Sequence, residues 1–322
     1  MHKTIIRRAL ILIPQLFVIS IIMFVLAYNM PGDALTGRGE DPMVSPERIA
    51  QIREELGLND PWLTQYGRWI VGIVTQLDFG YSILHSRPAI DVIGDRLPNT
   101  FWLALYTLVL IYAIAIPAGI IAGRYNDKLP DRIVSVYTFV SLAMPVIIFA
   151  LLMLLIFGFR LQWFPIRGSV RIDAMPGTLD HFISRLYHMT LPAITAALLG
   201  TVGIVQMLRA QIVQHKTSDF VTTARSKGVP ERIIYSRHIL RNAFVPIAAN
   251  IGFVIVALFA GAIFIETIFS FPGMGRLFID SIVQRDFTTI NAMVMLLAFM
   301  TAMGALLSDI ILTVVDPRIR IR

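Results

Sequence analysis

The residues whose types and spacing could do chemistry gather in one polar, basic run between two apolar stretches. It reads Asp219-Phe220-Val221-Thr222-Thr223-Ala224-Arg225-Ser226-Lys227-Gly228 and continues through Arg237-His238-Ile239-Leu240-Arg241-Asn242-Ala243 to Pro246. That chemistry is recognition rather than bond breaking, because the run offers hydroxyls and cationic donors but no nucleophile beside a base. The rest of the chain adds no catalytic set. There is no Cys, which excludes disulfides, thiolate metal sites and a Cys nucleophile. The six His are scattered, and neither a nucleophile elbow nor a His-Glu-x-x-His pair occurs. Lys3, Lys128, Lys216 and Lys227 follow His, Asp, His and Ser, whereas a phosphate-cradling loop needs Gly before its Lys. The chain is therefore expected to be no enzyme and to hold no cofactor or metal of its own. Two acids lie in apolar stretches, Glu266 and Asp309. Ionisable groups inside a membrane are costly and often functional, so both are candidate pathway or gating residues. The plainer reading is that Glu266, near a span's outer end, is solvated or paired with Arg276 or Arg285.

Positioning that run falls to a membrane scaffold. Hydrophobic residues make up 56% of the 322 positions and charged residues only 15%, with a mean hydropathy of +0.70, far from the balance of a soluble domain. A helix needs roughly 20 apolar residues to cross the hydrocarbon core. Six stretches qualify, at about 9–30, 101–123, 135–158, 191–208, 246–270 and 289–313. The alternating ten-residue segments of a membrane barrel are absent. The fold class expected is an all-α integral membrane protein with six transmembrane helices.

Basic residues set the orientation, since translocation disfavours Lys and Arg in short loops. An even number of spans puts both termini on one side. That side holds Lys3, Arg7, Arg8, Arg124, Lys128, Arg132, the seven cations from Arg209 to Arg241, and Arg318, Arg320 and Arg322. These are sixteen of the 28 Lys and Arg, and they include every Lys. Both termini are thus expected to be cytoplasmic, with the first span retained as an anchor rather than cleaved. The net charge of +7 then reflects topology and lipid headgroups, with no nucleic-acid partner.

The organisation expected is a cytoplasmic end and first span over 1–30, an extracytoplasmic subdomain over 31–98, and a core transmembrane domain over 99–316. The core includes the cytoplasmic loop 209–245, and 317–322 form a cytoplasmic tail. In the subdomain, Ser45 can cap a helix begun by Pro46, with Ile49, Ile52 and Leu56 on one face and Gly57 as its stop. A second amphipathic stretch from Trp62 to Leu77 puts Tyr66, Trp69, Ile70 and Ile73 together. Packing on the bundle is the plain reading and docking of an external partner the sharper one. A second external loop, Arg160 to His188, carries Trp163 and Phe164, aromatics suited to the interface belt.

Within the polar run, Thr217 or Ser218 can cap a short helix whose first turn holds Asp219 at the positive dipole end. The helix should reach about Lys227, with Phe220, Ala224 and Lys227 on one stripe. Gly228 supplies the positive φ needed past its end, and Pro230 starts another helix. The small Thr223 and Ala224 keep the helix slim enough for a partner's groove. A helix lying flat on lipid would want a broader apolar face than Thr222, Thr223, Arg225 and Ser226 allow.

The run Thr223 to Gly228, followed by His238 to Ala243 and Pro246, resembles the EAA coupling loop of bacterial ABC importer permeases, in the variant of the peptide and nickel group. Other stretches resemble that group's B-type permease subunit in order and spacing: Arg7-Arg8, Ala27 to Asp33, Asp78 to Ser82, Arg96 to Thr100, Glu266 to Phe269, Pro272 to Gly275 and Asp316 to Arg320. Thr222 and Thr223 depart from the Glu-Ala that gives the motif its name, which leaves Ala224 and Gly228 as the firmest matches.

The resemblance implies a type I ABC importer permease fold with a small helical extracytoplasmic insertion after the first span, in a bacterial plasma (inner) membrane. It implies a second homologous permease subunit forming a heterodimer, two cytoplasmic ABC ATPase subunits that bind the ATP and Mg, and an extracytoplasmic substrate-binding protein. ATPase coupling would fall to Asp219, Phe220, Thr223, Ala224, Arg225, Lys227, Gly228, Arg241, Asn242 and Pro246. Oligopeptides or dipeptides are the implied cargo, with nickel chelates or glutathione on the same architecture as alternatives. A proton-coupled secondary transporter is the contrasting class, against which stands the lack of carboxylates inside the first four expected spans.

Overall fold

A computed structural model describes residues 2–29, 46–55, 57 and 59–315. Lipid offers the backbone no partner, and the apolar stretches answer by closing their hydrogen bonds internally as helices. These are α1 (His2–Asn29), α2 (Pro46–Glu55), α3 (Trp62–Gln76), α4 (Ala89–Arg124), α5 (Leu129–Ala143), α6 (Val146–Met153), α7 (Leu179–Lys216), α8 (Asp219–Ser226), α9 (Glu231–Ile233), α10 (Leu240–Ala243), α11 (Val245–Ile268), α12 (Met274–Val283) and α13 (Phe287–Val315). A π-helical stretch, Leu154–Arg160, continues α6, and another, Ile234–Ile239, joins α9 to α10. One two-residue hairpin, β1 (Tyr81–Ser82) and β2 (Arg87–Pro88), pairs antiparallel.

Among the described residues, four helices are long and apolar enough to cross a membrane, and two bent pairs bring the number to six when each pair counts as one span. The third expected span, 135–158, is not a single helix. It breaks at Met144 and Pro145, and its two arms meet at 105°. Proline lacks an N–H and drives the residue before it out of the α region, and Met144 sits at ψ 117°. The fifth runs from Glu231 to Ile268 with a 48° bend between Gly252 and Val254. Helices α4 and α7 outrun the expected 101–123 and 191–208 by a dozen or so residues at their first ends, so Arg96 to Thr100 lie in a helix rather than a loop. Positions 209–216, assigned from sequence to a loop, are the last turns of α7.

The chain divides into two compact units, Met1–Phe101 with Pro272–Ala302, and Trp102–Phe271 with Met303–Arg322. In the first, α3 packs on α1: Tyr66 and Ser20 share a 2.8 Å hydrogen bond, and Phe24 stands 5.5 Å from the Tyr66 ring and 5.7 Å from Trp69. The amphipathic face that the sequence shows is thus spent on the first apolar helix. Gly57 has φ +63° as a helix stop requires, while Ser45 and Leu56 lie outside the described residues. A separate cluster joins Ala89, Val92 and Ile93 to Met274, Leu277, Ala292 and Met293. Asp286 is buried there, accepting from Ser82 and from Thr289 Oγ1 (2.8 Å).

In the second unit, more than half of the apolar part of α7 is buried. Gly119 and Gly123 of α4 let it approach, since a Cβ at either would meet Leu208 or Ile212 below 3.0 Å. Small residues one turn apart are how helices close on each other in lipid. At a second crossing a Cβ on Gly252 would lie 2.1 Å from the Gly304 carbonyl oxygen, and Ser308 Oγ accepts from the Gly252 N–H at 3.1 Å. In the segment 161–178, Arg171 donates to Asp173 (2.6 Å) and Asp180 (2.9 Å), and that guanidinium holds the Asp173 carboxyl below the usual carboxylate range. Trp163 stands 5.6 Å from Phe157 and accepts at its carbonyl from the Tyr187 hydroxyl at 2.5 Å.

Gly252→Val forces backbone apart and should cost about 2 kcal/mol or more, lowering the thermal midpoint of detergent-solubilised protein. Gly203→Ala, where an added Cβ meets nothing within 4 Å, should leave that midpoint unchanged or raise it. Equal midpoints for the two variants would refute the close crossing.

Candidate functional site

Helix α7 ends at Lys216, and Thr217 turns its hydroxyl back onto the Gln214 carbonyl (3.1 Å). Ser218 is the residue at which α8 begins, at φ −73° and ψ 148°, but its side chain makes no capping bond to the backbone. Asp219 occupies the first turn, where its charge meets the helix dipole favourably.

The buried face of α8 differs from the expected stripe of Phe220, Ala224 and Lys227. Val221 is 0% and Ala224 7% exposed. Phe220, Thr222, Thr223, Arg225, Ser226 and Lys227 all face outward. The reason is packing. Val221 and Ala224, three apart, share a face and enter the same apolar cluster as Ile111 and Ala115 of α4, Ile204, Leu208 and Ile212 of α7, and Ile234, Ile239, Ala243 and Ile247 beyond the turn. Phe220 leans instead on His215, ring centroids 5.8 Å apart. The short helix is thus welded to the apolar bundle on one side and offers hydroxyls and a cation on the other.

Its exit follows the expected glycine logic. Gly228 has φ +73°, its N–H donates to the Arg225 carbonyl (2.9 Å), and Val229 N–H donates to that of Ala224 (3.1 Å). A Cβ at Gly228 would meet nothing within 4 Å, so glycine is needed there for conformation alone. Pro230 precedes α9, and Arg225 Nε reaches across the turn to Glu231 Oε1 at 2.6 Å. That carboxylate raises the guanidinium's already high pKa, so the charge is permanent.

Arg241 and Asn242 are exposed, Asn242 donating to the His238 carbonyl (2.7 Å), and Pro246 is half-buried at the start of α11. They lie in α10 and α11, separated from α8 in sequence by the π-helical segment. Glu266 is fully buried in the last turns of α11, which overturns the solvated reading. The side chain of Asp309 and the run Asp316 to Arg320 lie outside the described residues.

Sequence reasoning missed a pair in the second unit. Asp131, 2% exposed in the first turn of α5, accepts from Arg209 Nε (2.6 Å) and Nη2 (2.8 Å), and the Asp127 N–H adds a third bond at 2.8 Å. Arg209 also donates to Asn126 Oδ1 at 3.0 Å. No local signal marks the pair, because the partner lies 78 positions away.

The chain matches two family descriptions, "Binding-prot-dependent transport system membrane comp, N-term" over residues 1–104 and "Binding-protein-dependent transport system inner membrane component" over 115–321. It is 36% identical over 320 residues to the oligopeptide transport system permease protein AppB of Bacillus subtilis (strain 168), covering 99% of both chains. A putative peptide transport system permease protein of Brucella abortus (strain 2308) shares 33% over 321 residues, and the glutathione transport system permease protein GsiC of Escherichia coli (strain K12) 32% over 323, each with 99% of both chains covered. Among solved structures, an amino acid ABC transporter crystallised with histidines superposes with a TM-score of 0.50 at 16% identity, over 71% of this chain and 95% of that one, a likeness of fold.

Gly228→Val places a β-branched residue at positive φ, at a cost of about 1–2 kcal/mol or more, while leaving the apolar helices intact. Trypsin should then cut near Arg225 and Lys227 roughly tenfold faster in membranes, with normal insertion; an unchanged cleavage rate would show that the turn does not need glycine.

Proposed function

The chain belongs to the family of binding-protein-dependent transport system inner membrane components, and from that premise we propose that it is the permease subunit of an ATP-driven importer of oligopeptides or dipeptides. It is a multi-pass protein of the inner membrane, with several apolar helices. In this reading it forms half of the translocation pore with a second, homologous permease. Two ATPases stand beneath the pair and hold the ATP and Mg, a substrate-binding protein delivers cargo from outside, and both termini are cytoplasmic.

The observation that carries the reading is the two-sided character of α8. Val221 and Ala224 fix it in the apolar cluster of the bundle, while Phe220, Thr222, Thr223, Ser226 and Lys227 are exposed for a partner. A helix fixed to the pore but shaped for another protein's groove can carry motion between the two. ATPase closure on ATP would push α8, and the bundle fastened behind it would open the outer mouth. Helices α5 and α6, meeting at Pro145, and the bend near Gly252 supply places where the apolar helices change direction. Arg241, Asn242 and Pro246 complete the coupling region in this proposal, and Glu266, buried at the end of α11, is a gating residue.

Peptide cargo rests on the relatives named for peptide and oligopeptide transport, and glutathione, the cargo in GsiC's name, is itself a peptide. The test is co-purification of the chain, tagged at its C-terminus, followed by ATPase assays in lipid. Recovery of a second permease and two ATPases is expected, with ATP turnover raised several-fold by peptide-loaded binding protein. Competition among di-, tri- and oligopeptides, glutathione and nickel chelates then orders the cargo. Purified chain that moves peptide alone on a pH gradient would overturn the reading in favour of a secondary transporter.

A further inference from the structure

Four elements of the second unit converge on one aromatic ring. Tyr235 lies in the π-helical segment Ile234–Ile239, half-buried, one residue from the fully buried Ile234. The Arg124 guanidinium, on the last residue of α4, stands 5.2 Å from the ring centroid, and the Lys216 ammonium, on the last residue of α7, stands 6.0 Å from it. Both lie within the range at which a cation is drawn to a ring face. The two helix ends are tied to each other as well, because Lys216 Nζ donates to the Arg124 carbonyl at 2.8 Å. That bond satisfies one of the acceptors that any helix leaves open at its C-terminus, and both cations sit where the dipole favours them.

The fourth element is α8. Its Arg225 holds Glu231, four residues before Tyr235, and also donates to the Lys216 carbonyl at 3.4 Å. A displacement of α8 therefore acts through Arg225 on Glu231, one helical turn before the ring, and on Lys216, the end of α7 beside it. The ring is gripped by cations from the ends of two long apolar helices. π-Helical turns are rare and cluster at functional sites, and this one brings the Tyr235 ring within 5.2 Å of one cation and 6.0 Å of the other.

We infer that Tyr235 is a positioning residue for coupling: its face, in reach of Arg124 and Lys216, is the joint through which movement of α8 reaches the ends of α4 and α7. The inference rests on the reading of α8 given under Proposed function. It assigns the work to the ring face, so phenylalanine should replace tyrosine and leucine should not.

The test uses the complete transporter in proteoliposomes, with wild type, Tyr235→Phe, Tyr235→Leu and Arg124→Gln. Peptide uptake per ATP hydrolysed should match wild type in Tyr235→Phe and fall about tenfold in Tyr235→Leu, the effect expected when a half-buried ring loses two cations. Arg124→Gln, on an exposed helix end where folding is not at stake, should fall part of the way. Basal ATP turnover and the amount of co-purified ATPase should stay within about twofold in all four. Loss of uptake in Tyr235→Phe, wild-type uptake in both Tyr235→Leu and Arg124→Gln, or loss of bound ATPase in Arg124→Gln would each overturn the joint. A wild-type complex without receptor-stimulated turnover would instead overturn the reading of α8, and the joint with it.

Discussion

The structure depends on the burial of Val221 and Ala224 in the cluster that also holds Ile111, Leu208, Ile212 and Ile234. A polar helix next to apolar spans has two cheap fates, lying on the lipid surface or hanging in water. Here neither applies, because its two small apolar side chains leave water together with those of the long helices. Once that contact exists, the polarity of the remaining positions follows. The residues facing away must be acceptable to water and to another protein, and Thr222, Thr223, Ser226 and Lys227 are both. The same contact makes the segment after Gly228 turn back at once, since Ile234 and Ile239 enter the cluster too.

Rigidity and breaks alternate along the apolar helices. Glycines bring α4 onto α7 and α11 onto α13 so closely that no Cβ fits, and closely packed interfaces shift as units rather than deform. Breaks fall at Met144 and Pro145 and in the two π-helical stretches, while the bend in α11 follows directly on its glycine crossing at Gly252. The pair of the buried Asp131 and the half-buried Arg209 belongs to the rigid set. It ties the first turn of α5 to α7 through two hydrogen bonds from one guanidinium. Removing Arg209 strands the buried Asp131 carboxylate, at a cost of roughly 1–3 kcal/mol, whereas Arg209, a third exposed, can turn to water when Asp131 is lost.

What could be read from the chain beforehand divides along the same line. Apolar runs announced every long helix, since twenty residues without a charge have few other fates. The turn at Gly228 and the helix after Pro46 were equally legible, because glycine and proline act on their own backbone. The 105° break was not, although Pro145 was in plain view: an apolar count over 135–158 weighs composition and is blind to direction. The inward face of α8 was misassigned for a related reason. Phe220 is the largest apolar residue in the helix and drew the stripe toward itself, but the partners that decide burial are Ile111, 109 positions before it, and Leu208, 12 positions before it. The Asp131–Arg209 and Arg124–Tyr235–Lys216 contacts were hidden by the same distance in sequence.

The energetics say why α8 needs more than its own apolar side. Moving a two-state bundle from mostly closed to mostly open takes about 5.5 kcal/mol, and whatever transmits that must not peel away first. Burying one valine contributes about 1.5–3 kcal/mol, and Ala224 adds less, so α8 alone would lift off the bundle before moving it. Surface ion pairs do not make up the shortfall, being worth about 1 kcal/mol at most, and Arg225–Glu231 is exposed on both sides. The remainder has to come from the chain on either side of α8, where Ile212 ends the approach and Ile234, Ile239, Ala243 and Ile247 begin the return, all in one cluster. The short helix is thus the visible part of a longer apolar staple, and a partner that pushes on its hydroxyl-rich face pushes on the whole of it.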